Sequence, residues 1–294
     1  MAVIDAPQRR DKARIRRNFD GAADNYEQVA VLQQVVGERL LERLEAIKLK
    51  PERILDLGSG TGRLSRLLSG RYQTARILQL DLAFNMLIKS RENNRFADRQ
   101  QQLCADAENL PLADNSVEFA FSNLTFQWVS ELDKAFAETY RTLRPAGLLL
   151  FSTFGPASLM ELRNSWAAVD DYVHVNTFTD MHDVGDALVR AGFAEPVMET
   201  ETFTLVYDSG QALMRELKML GAGNVNAGRR RSVTGKGKLQ AMLREYESRY
   251  RKDGLPATFE AVYGHAWVPE TKQGRPEVLE TGVHRLAFRP RGTT

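Results

Sequence analysis

The residues best suited to chemistry form a glycine-rich segment that follows an apolar run. Ile54-Leu55-Asp56-Leu57 leads directly into Gly58-Ser59-Gly60-Thr61-Gly62, after which a helical pattern begins. Glycines at the carboxyl end of a parallel strand let the backbone approach a ligand closely, and open α/β sheets bind ligands at that edge. The segment lacks the Gly-Lys-Ser/Thr ending of a P-loop, because Gly62-Arg63-Leu64 stands there. Taken alone, it indicates either a dinucleotide turn or a tight strand–helix connection.

Acidic side chains follow the next two apolar runs. Asp81 comes directly after 76–80, where a carboxylate can accept hydrogen bonds from both hydroxyls of a ribose. Asp106 follows 101–104, where a polar side chain can bond an adenine amino group. Each acid alone has a structural explanation, Asp81 as a helix N-cap and Asp106 as a turn residue. Their succession at consecutive strand ends, after the glycine segment, predicts a site for a nucleoside-containing cofactor.

These side chains must be positioned by a parallel sheet that helices cover on both faces, because continuous apolar runs alternate with helical patterns. The predicted strands are 53–57, 76–80, 101–104, 117–122, 148–153, 196–207 and 258–267. The predicted helices are 13–19, 26–46, 63–69, 83–91, 131–143, 159–169, 181–191, 211–220 and 238–249. The fold class is therefore α/β and Rossmann-like, with a mostly parallel seven-stranded sheet and a helical insertion near the C-terminal strands.

The same pattern predicts the domain organisation. Residues 1–25 are rich in arginine and form a basic N-terminal arm that can act as a lid. Residues 26–268 form the main domain, with the helical insertion at about 208–255, and residues 269–294 form a tail. A chain of 294 residues with 43% hydrophobic composition is long enough for one large α/β domain of this kind.

Composition narrows the classes of function. The chain has 40 Lys and Arg against 38 Asp and Glu, which is too balanced to indicate a nucleic-acid-binding protein. Cys104 is the single cysteine, so no intrachain disulfide can form, and we expect a buried thiol in a reducing compartment. The sequence has no Cys/His cluster with metal-ligand spacing, no membrane-length apolar run and no secretory signal. We expect a cytoplasmic protein without a metal site.

Residues 50–155 resemble the class I methyltransferases. The resemblance rests on Asp56–Gly62, Asp81, Asp106-Ala107-Glu108 and the segment 141–147 before the fifth strand. It implies S-adenosyl-L-methionine as cofactor, with Asp81 at the ribose and Asp106-Ala107 at the adenine. The full set implied at the cofactor is Asp56, Gly58, Ser59, Gly60, Gly62, Asp81, Leu82, Asp106, Ala107 and Asn123. The sequence departs from the family at Ala146, where a second glycine usually precedes the strand.

Motifs across nearly the whole chain are similar, more narrowly, to the malonyl-[acyl-carrier protein] O-methyltransferase family of biotin synthesis. They include Phe19-Asp20-x-Ala22-Ala23-x-x-Tyr26, Ser122-Asn123-Leu124, Gln127-Trp128, Glu161-Leu162-Arg163, His174-Val175-Asn176, Leu217-Lys218-x-x-Gly221-Ala222 and Tyr263-Gly264-His265-Ala266-Trp267. The resemblance implies methylation of the free carboxyl of a malonyl thioester, with the malonyl form of an acidic acyl-carrier protein as partner. Capping that charge lets the ester serve as a primer for fatty-acid elongation.

Such a reaction needs no catalytic base, because a carboxylate is already ionised at neutral pH. The site must instead align the acceptor oxygen with the methyl group and exclude water. Tyr26 and Phe19 are expected to cover the site, and Gln127 and Trp128 follow the fourth strand, close to the expected methyl position. We expect Tyr26 or Gln127 to orient the acceptor and Trp128 to contact it.

A carboxylate acceptor also requires a cation for selectivity. The candidates are Arg163, Arg215, Lys218 and Arg229, among which the sequence alone does not choose. The basic segments Arg9–Arg17 and Arg229–Arg231, with Lys236 and Lys238, suit an acidic carrier protein and would equally suit RNA. We expect no nucleic-acid partner, and the sequence does not indicate the oligomeric state.

Three alternatives share much of this pattern. The first is another class I methyltransferase that acts on a small acid or on RNA. The second is a relative of a mitochondrial respiratory complex I assembly factor described as an arginine hydroxylase, which Asp253-Gly254-x-Pro256-Ala257-Thr258 resembles. The third is a scaffold that binds the cofactor without catalysis. Tyr263–Trp267 favours the biotin-synthesis family over the second alternative.

Overall fold

The computed structural model describes residues 10–94, 99–226, 229, 234–250 and 254–272. The helices are α1 (Lys12–Ala22), α2 (Tyr26–Val29), α3 (Val31–Glu42), α4 (Arg63–Arg71), α5 (Phe84–Glu92), α6 (Leu132–Thr142), α7 (Met160–Ala167), α8 (Met181–Ala191), α9 (Gly210–Met219) and α10 (Lys236–Tyr250). The strands are β1 (Arg53–Leu57), β2 (Arg76–Asp81), β3 (Gln100–Cys104), β4 (Val117–Ser122), β5 (Leu143–Phe154), β6 (Ala194–Tyr207) and β7 (Leu255–Trp267).

The strands form one sheet in the order β3-β2-β1-β4-β5-β7-β6. Strands β1 to β5 pair in parallel, and β7 pairs antiparallel with both β5 and β6. The chain order reverses between β1 and β4, which is where an open α/β sheet provides a ligand crevice at the carboxyl ends of its strands. The predicted mostly parallel seven-stranded α/β fold is confirmed.

Both faces of the sheet are buried under helices. Ile54 of β1 belongs to one hydrophobic cluster, with Phe119 and Leu148 of the strands beyond it. Leu55, the next residue of β1, belongs to the opposite cluster with Ala120 and Leu149. Because side chains of a strand alternate between faces, the uninterrupted apolar runs of the sequence supply both clusters at once.

The predicted helix 26–46 is wrong in one respect, because it breaks at Ala30. The backbone there leaves the helical region, with φ −81° and ψ 41°, and separates α2 from α3. The break lets α2 turn toward the glycine segment. Glu27 of α2 accepts a hydrogen bond from Thr61 at 2.7 Å and forms an ion pair with Arg66 at 2.9 Å.

The expected burial of Cys104 is also wrong, because the side chain is exposed. It is the last residue of β3, which lies at the edge of the sheet and has only β2 as a neighbour. An edge position leaves one side of the strand uncovered, so a small apolar side chain there is not enclosed.

Helices α9 and α10 lie between β6 and β7, in the part of the chain predicted to be an insertion. They contact each other, α9 also contacts β6 and α10 contacts β7, and Leu213 and Tyr246 are buried in the same cluster as Ile54. Across the residues that the structure describes, no helix has the length and apolar character required to span a membrane.

Candidate active site

The glycine segment connects the end of β1 to α4. Asp56 is buried, with 2% of its surface exposed, and accepts a hydrogen bond from the Ser65 hydroxyl. Burial raises the pKa of Asp56 to about 7 against the opposing effect of that hydrogen bond. The Ser59 hydroxyl is buried and has no hydrogen-bond partner within the described chain. Gly60 has φ +54° and no atom within 4 Å of the position that a Cβ would take, so its backbone faces open space.

Asp81 ends β2 beside this segment. Its carboxylate accepts hydrogen bonds from the Gly60 amide at 2.9 Å and from the Ala83 amide at 2.8 Å. Burial raises the pKa of Asp81 to about 6, although these backbone hydrogen bonds act in the opposite direction. The side chain joins the glycine loop to the start of α5, which is the position expected for a ribose ligand.

Asp106 follows β3 at the far end of the same cleft. Its carboxylate contacts the Lys12 ammonium at 2.5 Å, and Glu108 contacts the same ammonium at 2.7 Å. Burial opposes the charge on Lys12, but the hydrogen bonds and charges of the two carboxylates outweigh it and raise the Lys12 pKa. The N-terminal arm is therefore tied directly to the acidic pair at the expected adenine position.

These groups line one cleft, which we call the cofactor cleft. Helix α1 covers it, with Ile15 and Phe19 among the lining residues. The sequence-predicted residues that line it are Tyr26, Asp56, Gly58, Ser59, Gly60, Asp81, Leu82, Asp106, Ala107, Asn123 and Trp128. The structure thus brings together groups that are spread over more than 100 positions of sequence.

Gly62 serves packing, not the expected cofactor contact. A Cβ at Gly62 would lie 2.0 Å from the Ser90 hydroxyl and 2.8 Å from the Gln79 amide nitrogen. The residue also has φ +76° as the cap preceding α4. Close packing of α4 against β2 and α5 is enough to account for the glycine here, and Gly62 is not among the residues that line the cleft.

A second, larger cavity of about 650 Å³ adjoins the cofactor cleft, and we call it the acceptor cavity. Its wall is mostly apolar, with Leu32, Leu162 and Phe259 among its side chains. Trp128 lines both spaces, and its ring meets the Phe19 ring edge-on at 5.2 Å between centroids. The two spaces therefore meet at Trp128, near the carboxyl end of β4.

Sequence reasoning missed two residues of the acceptor cavity. Arg14 lines it from α1, and its Nε is buried without a hydrogen-bond partner among the described residues. Gln33 lines both the acceptor cavity and the part of the cofactor cleft beside Asp56, and its Oε1 is also buried without a partner. Arg14, Asn18 and Gly21 share one face of α1. Their helical spacing is the signal that could have distinguished Arg14 from the other basic residues of the arm.

Of the four candidate cations, Lys218 lines the acceptor cavity, and Arg163, Arg215 and Arg229 are not among its lining residues. Arg163 instead donates to the carbonyl oxygens of Pro156 and Ser158, at 2.9 and 2.8 Å. Arg229 donates to the Asn226 carbonyl and pairs with Asp11 at 3.0 Å. The structure therefore places these two arginines on loops, with their donors bonded within the protein.

Gln127 is also placed away from the predicted chemistry. Its Nε2 donates to the Leu124 carbonyl at 2.6 Å, and its Oε1 accepts from the Thr153 hydroxyl at 3.1 Å. Both polar atoms of the side-chain amide therefore form hydrogen bonds within the protein, and 8% of the residue is exposed. The geometry supports a structural role that holds the β4–α6 connection against β5.

Tyr26 remains in the cofactor cleft, where its ring lies 6.4 Å from that of Phe19. Burial, followed by the negative charge of Asp81, raises the pKa of the Tyr26 hydroxyl far above its usual range. The phenol therefore keeps its proton at neutral pH. It can donate a hydrogen bond to a ligand but does not act as a base.

Three consecutive residues of the arm connect the two spaces. Arg10 donates to the Asn226 side chain and to the Thr177 carbonyl. The Asp11 amide donates to the Val225 carbonyl at 3.0 Å, and Lys12 reaches the acidic pair of the cofactor cleft. The loop at 224–226 also bonds Asn176, which lines the acceptor cavity, through the Val225 amide at 3.0 Å.

The groups in the cofactor cleft suit S-adenosyl-L-methionine. Beside the glycine loop, the Ser59 hydroxyl has no hydrogen-bond partner among the described residues, and the backbone of Gly60 faces open space. Both groups can therefore contact a ligand. The carboxylates of Asp81 and Asp106 are acceptors for hydroxyl and amino groups, which the nucleoside part carries.

Comparison with known proteins agrees with this assignment. A profile of the methyltransferase domain family matches residues 55–151. The chain is 47% identical over 291 residues to the malonyl-[acyl-carrier protein] O-methyltransferase of Methylovorus sp. (strain MP688), which covers 97% of each chain. It is 47% identical over 289 residues to the protein of that name from Laribacter hongkongensis, covering 95% of this chain and 96% of the relative.

Solved structures support the fold. The YcgJ protein from Bacillus subtilis has a TM-score of 0.56 at 17% identity, covering 80% of this chain and 99% of that one. Phosphoethanolamine N-methyltransferase 2 of Haemonchus contortus, in complex with S-adenosyl-L-methionine, has a TM-score of 0.54 at 17% identity, covering 87% of this chain and 60% of that one. Taken with the near-full-length relatives, these findings show that the chain belongs to the malonyl-[acyl-carrier protein] O-methyltransferase family and is a class I, S-adenosylmethionine-dependent methyltransferase.

Proposed function

We propose that the protein methylates the free carboxyl group of a malonyl thioester carried on acyl-carrier protein. The observation that carries this proposal is the 47% identity to relatives of that name over nearly the whole chain, including the regions that form the acceptor cavity. A match confined to the cofactor half would support only a methyltransferase of unknown substrate. The acceptor cavity adjoining the cofactor cleft at Trp128 is consistent with this assignment.

The residues that would hold the cofactor are those of the cofactor cleft. Asp106 and Ala107 would bind the adenine, Asp81 the ribose, and Gly58, Ser59, Gly60 and Asp56 the amino-acid end. When bound, S-adenosyl-L-methionine supplies an electrophilic methyl group for the acceptor carboxylate oxygen, and S-adenosyl-L-homocysteine is left. The remaining work of the protein is to bind, orient and keep water out.

The acceptor carboxylate has no proton to lose, so the reaction requires no catalytic base. Tyr26 stays protonated because of burial and Asp81, so it serves as a hydrogen-bond donor that orients the acceptor. Trp128, where the two spaces meet, would contact the acyl group and shield the reacting atoms. Phe19 packs against Trp128 and closes the site from the arm.

Arg14 and Lys218 are the arginine and lysine side chains that line the acceptor cavity among the described residues. We assign to them the neutralisation of the acceptor carboxylate. The buried Arg14 Nε lacks an acceptor, and a carboxylate is acceptor-only, so the two are complementary. An uncharged acyl group leaves this nitrogen unsatisfied, which favours malonyl over acetyl thioesters.

The product is a methyl ester that hides the negative charge of the malonyl group. An enzyme system that condenses apolar acyl primers accepts such an ester where it rejects a free carboxylate. We therefore place the reaction at the start of biotin synthesis, where the ester serves as primer for the pimeloyl chain. The cytoplasm, where carrier proteins are acylated, is the expected location.

Transfer of labelled methyl from S-adenosyl-L-methionine to malonyl-carrier protein tests the proposal, with acetyl-carrier protein as control. We expect label on the malonyl form alone, released by mild base as an ester should be. Label on neither form, with the cofactor still bound, would contradict the proposed acceptor. Label on RNA or on a free dicarboxylic acid instead would identify one of the alternative methyltransferase classes.

A further inference from the structure

The acceptor cavity has a definite opening. Among its described lining residues, those exposed on the surface are Gly21, in the last turn of α1, and Lys218, in the last turn of α9. The other lining residues are buried or half-buried. The described part of the wall is therefore exposed to solvent between α1 and α9, and we infer that a thioester arm enters there.

Unpaired positive charges flank the opening. Arg17 lies four residues before Gly21, and Arg215 lies three residues before Lys218, so each is one helical turn from the rim. Both are exposed, and neither lines the cavity. No ion pair within the described residues involves Arg17, Arg215 or Lys218.

The nearby acids cancel only part of these charges. Asp20 pairs with Arg16 at 3.6 Å, Asp24 with Lys89 at 3.2 Å and Asp11 with Arg229 at 3.0 Å. On α9, Glu216 lies beside Arg215 and accepts a hydrogen bond from the Tyr207 hydroxyl at 2.8 Å, a neutral donor that does not offset its negative charge. Arg17, Arg215 and Lys218 outnumber this carboxylate, so the rim presents a net positive field to an approaching partner.

An exposed apolar side chain lies on the same rim. Met219, next to Lys218 at the end of α9, is 40% exposed. An apolar side chain bordered by cations suits a partner with acidic residues around an apolar patch.

We propose that Arg17, Arg215 and Met219, on the rim beside Lys218, form the docking face for the acyl-carrier protein. The inference rests on the proposed function, and it names the surface that the acidic carrier contacts while its arm enters the acceptor cavity. This face includes Arg17 from the basic segments predicted from sequence, together with Arg215 from α9. Arg10 and Arg229 of those segments bond within the protein, and Lys238 pairs with Asp170 at 2.8 Å.

Charge reversal separates docking from chemistry. The variants are Arg17→Glu, Arg215→Glu and the double variant, with Arg76→Glu as control, because Arg76 is exposed at the opposite, amino end of β2. Each is assayed with malonyl-carrier protein and with malonyl-pantetheine, which has the arm without the carrier. Calorimetry with S-adenosyl-L-homocysteine verifies that every variant keeps a folded cofactor cleft.

We expect each reversal to raise KM for malonyl-carrier protein about 3- to 10-fold, and the double variant to raise it further. The loss should be confined to the carrier-bound substrate, and increasing salt should raise the wild-type KM toward that of the variants. Equal losses with malonyl-pantetheine, or carrier kinetics that match Arg76→Glu, would overturn the docking face while leaving the proposed function intact. If the wild-type protein methylates neither malonyl substrate, the proposed function falls and this inference falls with it.

Discussion

The Lys12 ammonium lies 2.5 Å from the Asp106 carboxylate and 2.7 Å from Glu108, and so fastens the N-terminal arm over the cofactor cleft. Replacing Lys12 with Met leaves these two carboxylates without their cation. We expect Kd for S-adenosyl-L-methionine to rise about 5- to 10-fold, since one-third of the Lys12 side chain is exposed and the pair is partly screened.

Calorimetric titration of the Lys12→Met variant measures this change. The control is Lys50→Met, which removes an exposed lysine before the amino end of β1, whereas the cofactor cleft lies at the carboxyl ends of the strands. An unchanged cofactor affinity in Lys12→Met would show that the arm closes without this ion pair.

Cofactor affinity should depend on pH through Asp81 and Asp56. Burial raises their pKa values to about 6 and about 7, and the charged form of Asp81 is the one that accepts hydrogen bonds from ribose hydroxyls. We therefore expect Kd for the cofactor to rise as pH falls below 7, by about tenfold per unit below pH 6. In Asp81→Asn the affinity should be lower throughout, and the component near pH 6 should be lost.

The stability of the ligand-free protein should change in the opposite direction. Both acids bind protons at higher pH in the folded chain than in the unfolded chain, where their pKa values are about 4. Their contribution therefore raises the free energy of unfolding as pH falls from about 7 toward about 4. Urea unfolding across this range, compared between wild type and Asp81→Asn, measures it; identical pH profiles would refute the raised Asp81 pKa.

Arg14→Gln and Lys218→Gln test the cations of the acceptor cavity. Each removes a charge-assisted hydrogen bond to the acceptor, so we expect KM for malonyl-pantetheine to rise about 10-fold or more while cofactor Kd stays the same. Inhibition by acetyl-pantetheine provides the specificity readout, because loss of the cation should reduce the preference for malonyl over acetyl. Arg76→Gln is the matched control, and a malonyl preference that survives in both cavity variants would assign the carboxylate to another group.

Ala146 is held at φ +59°, in the turn that precedes the apolar part of β5. A Cβ is disfavoured there by about 1 kcal/mol or more, part of which the greater flexibility of glycine in the unfolded chain offsets. We expect Ala146→Gly to raise the free energy of unfolding by about 0.5 kcal/mol. Ala137→Gly, in the middle of α6, should lower it by about 1 kcal/mol, and urea denaturation of both variants compares the two signs.

The parts of the site that follow strand ends were predictable from sequence. A short apolar run followed by glycines or an acid gives both the strand and the position of the side chain, as at Asp56, Asp81 and Asp106. Strand positions such as Val117–Ser122 were predicted at their observed bounds for the same reason. Local pattern and function coincide in these residues.

The acceptor side was less predictable, because its residues come from elements that meet only in the folded chain. In the sequence, Arg14 resembles the basic residues around it. The fold shows that it lines the acceptor cavity. Arg163 occurs in a family-like motif and Arg229 in a basic segment, yet carbonyl oxygens and Asp11 accept the hydrogen bonds that they donate. A charged side chain in sequence does not reveal whether its partner is a ligand or the protein itself.

Arg10, Asp11 and Lys12 are consecutive, and they bind the loop beside the acceptor cavity at one end and the acids of the cofactor cleft at the other. A backbone of three residues cannot release one end while the other stays in register. Release of Lys12 from the acids of the cofactor cleft is thus coupled to the contacts of Arg10 and Asp11 with the wall of the acceptor cavity. The frequency of that opening would set an upper limit on release of the spent nucleoside, and so on turnover.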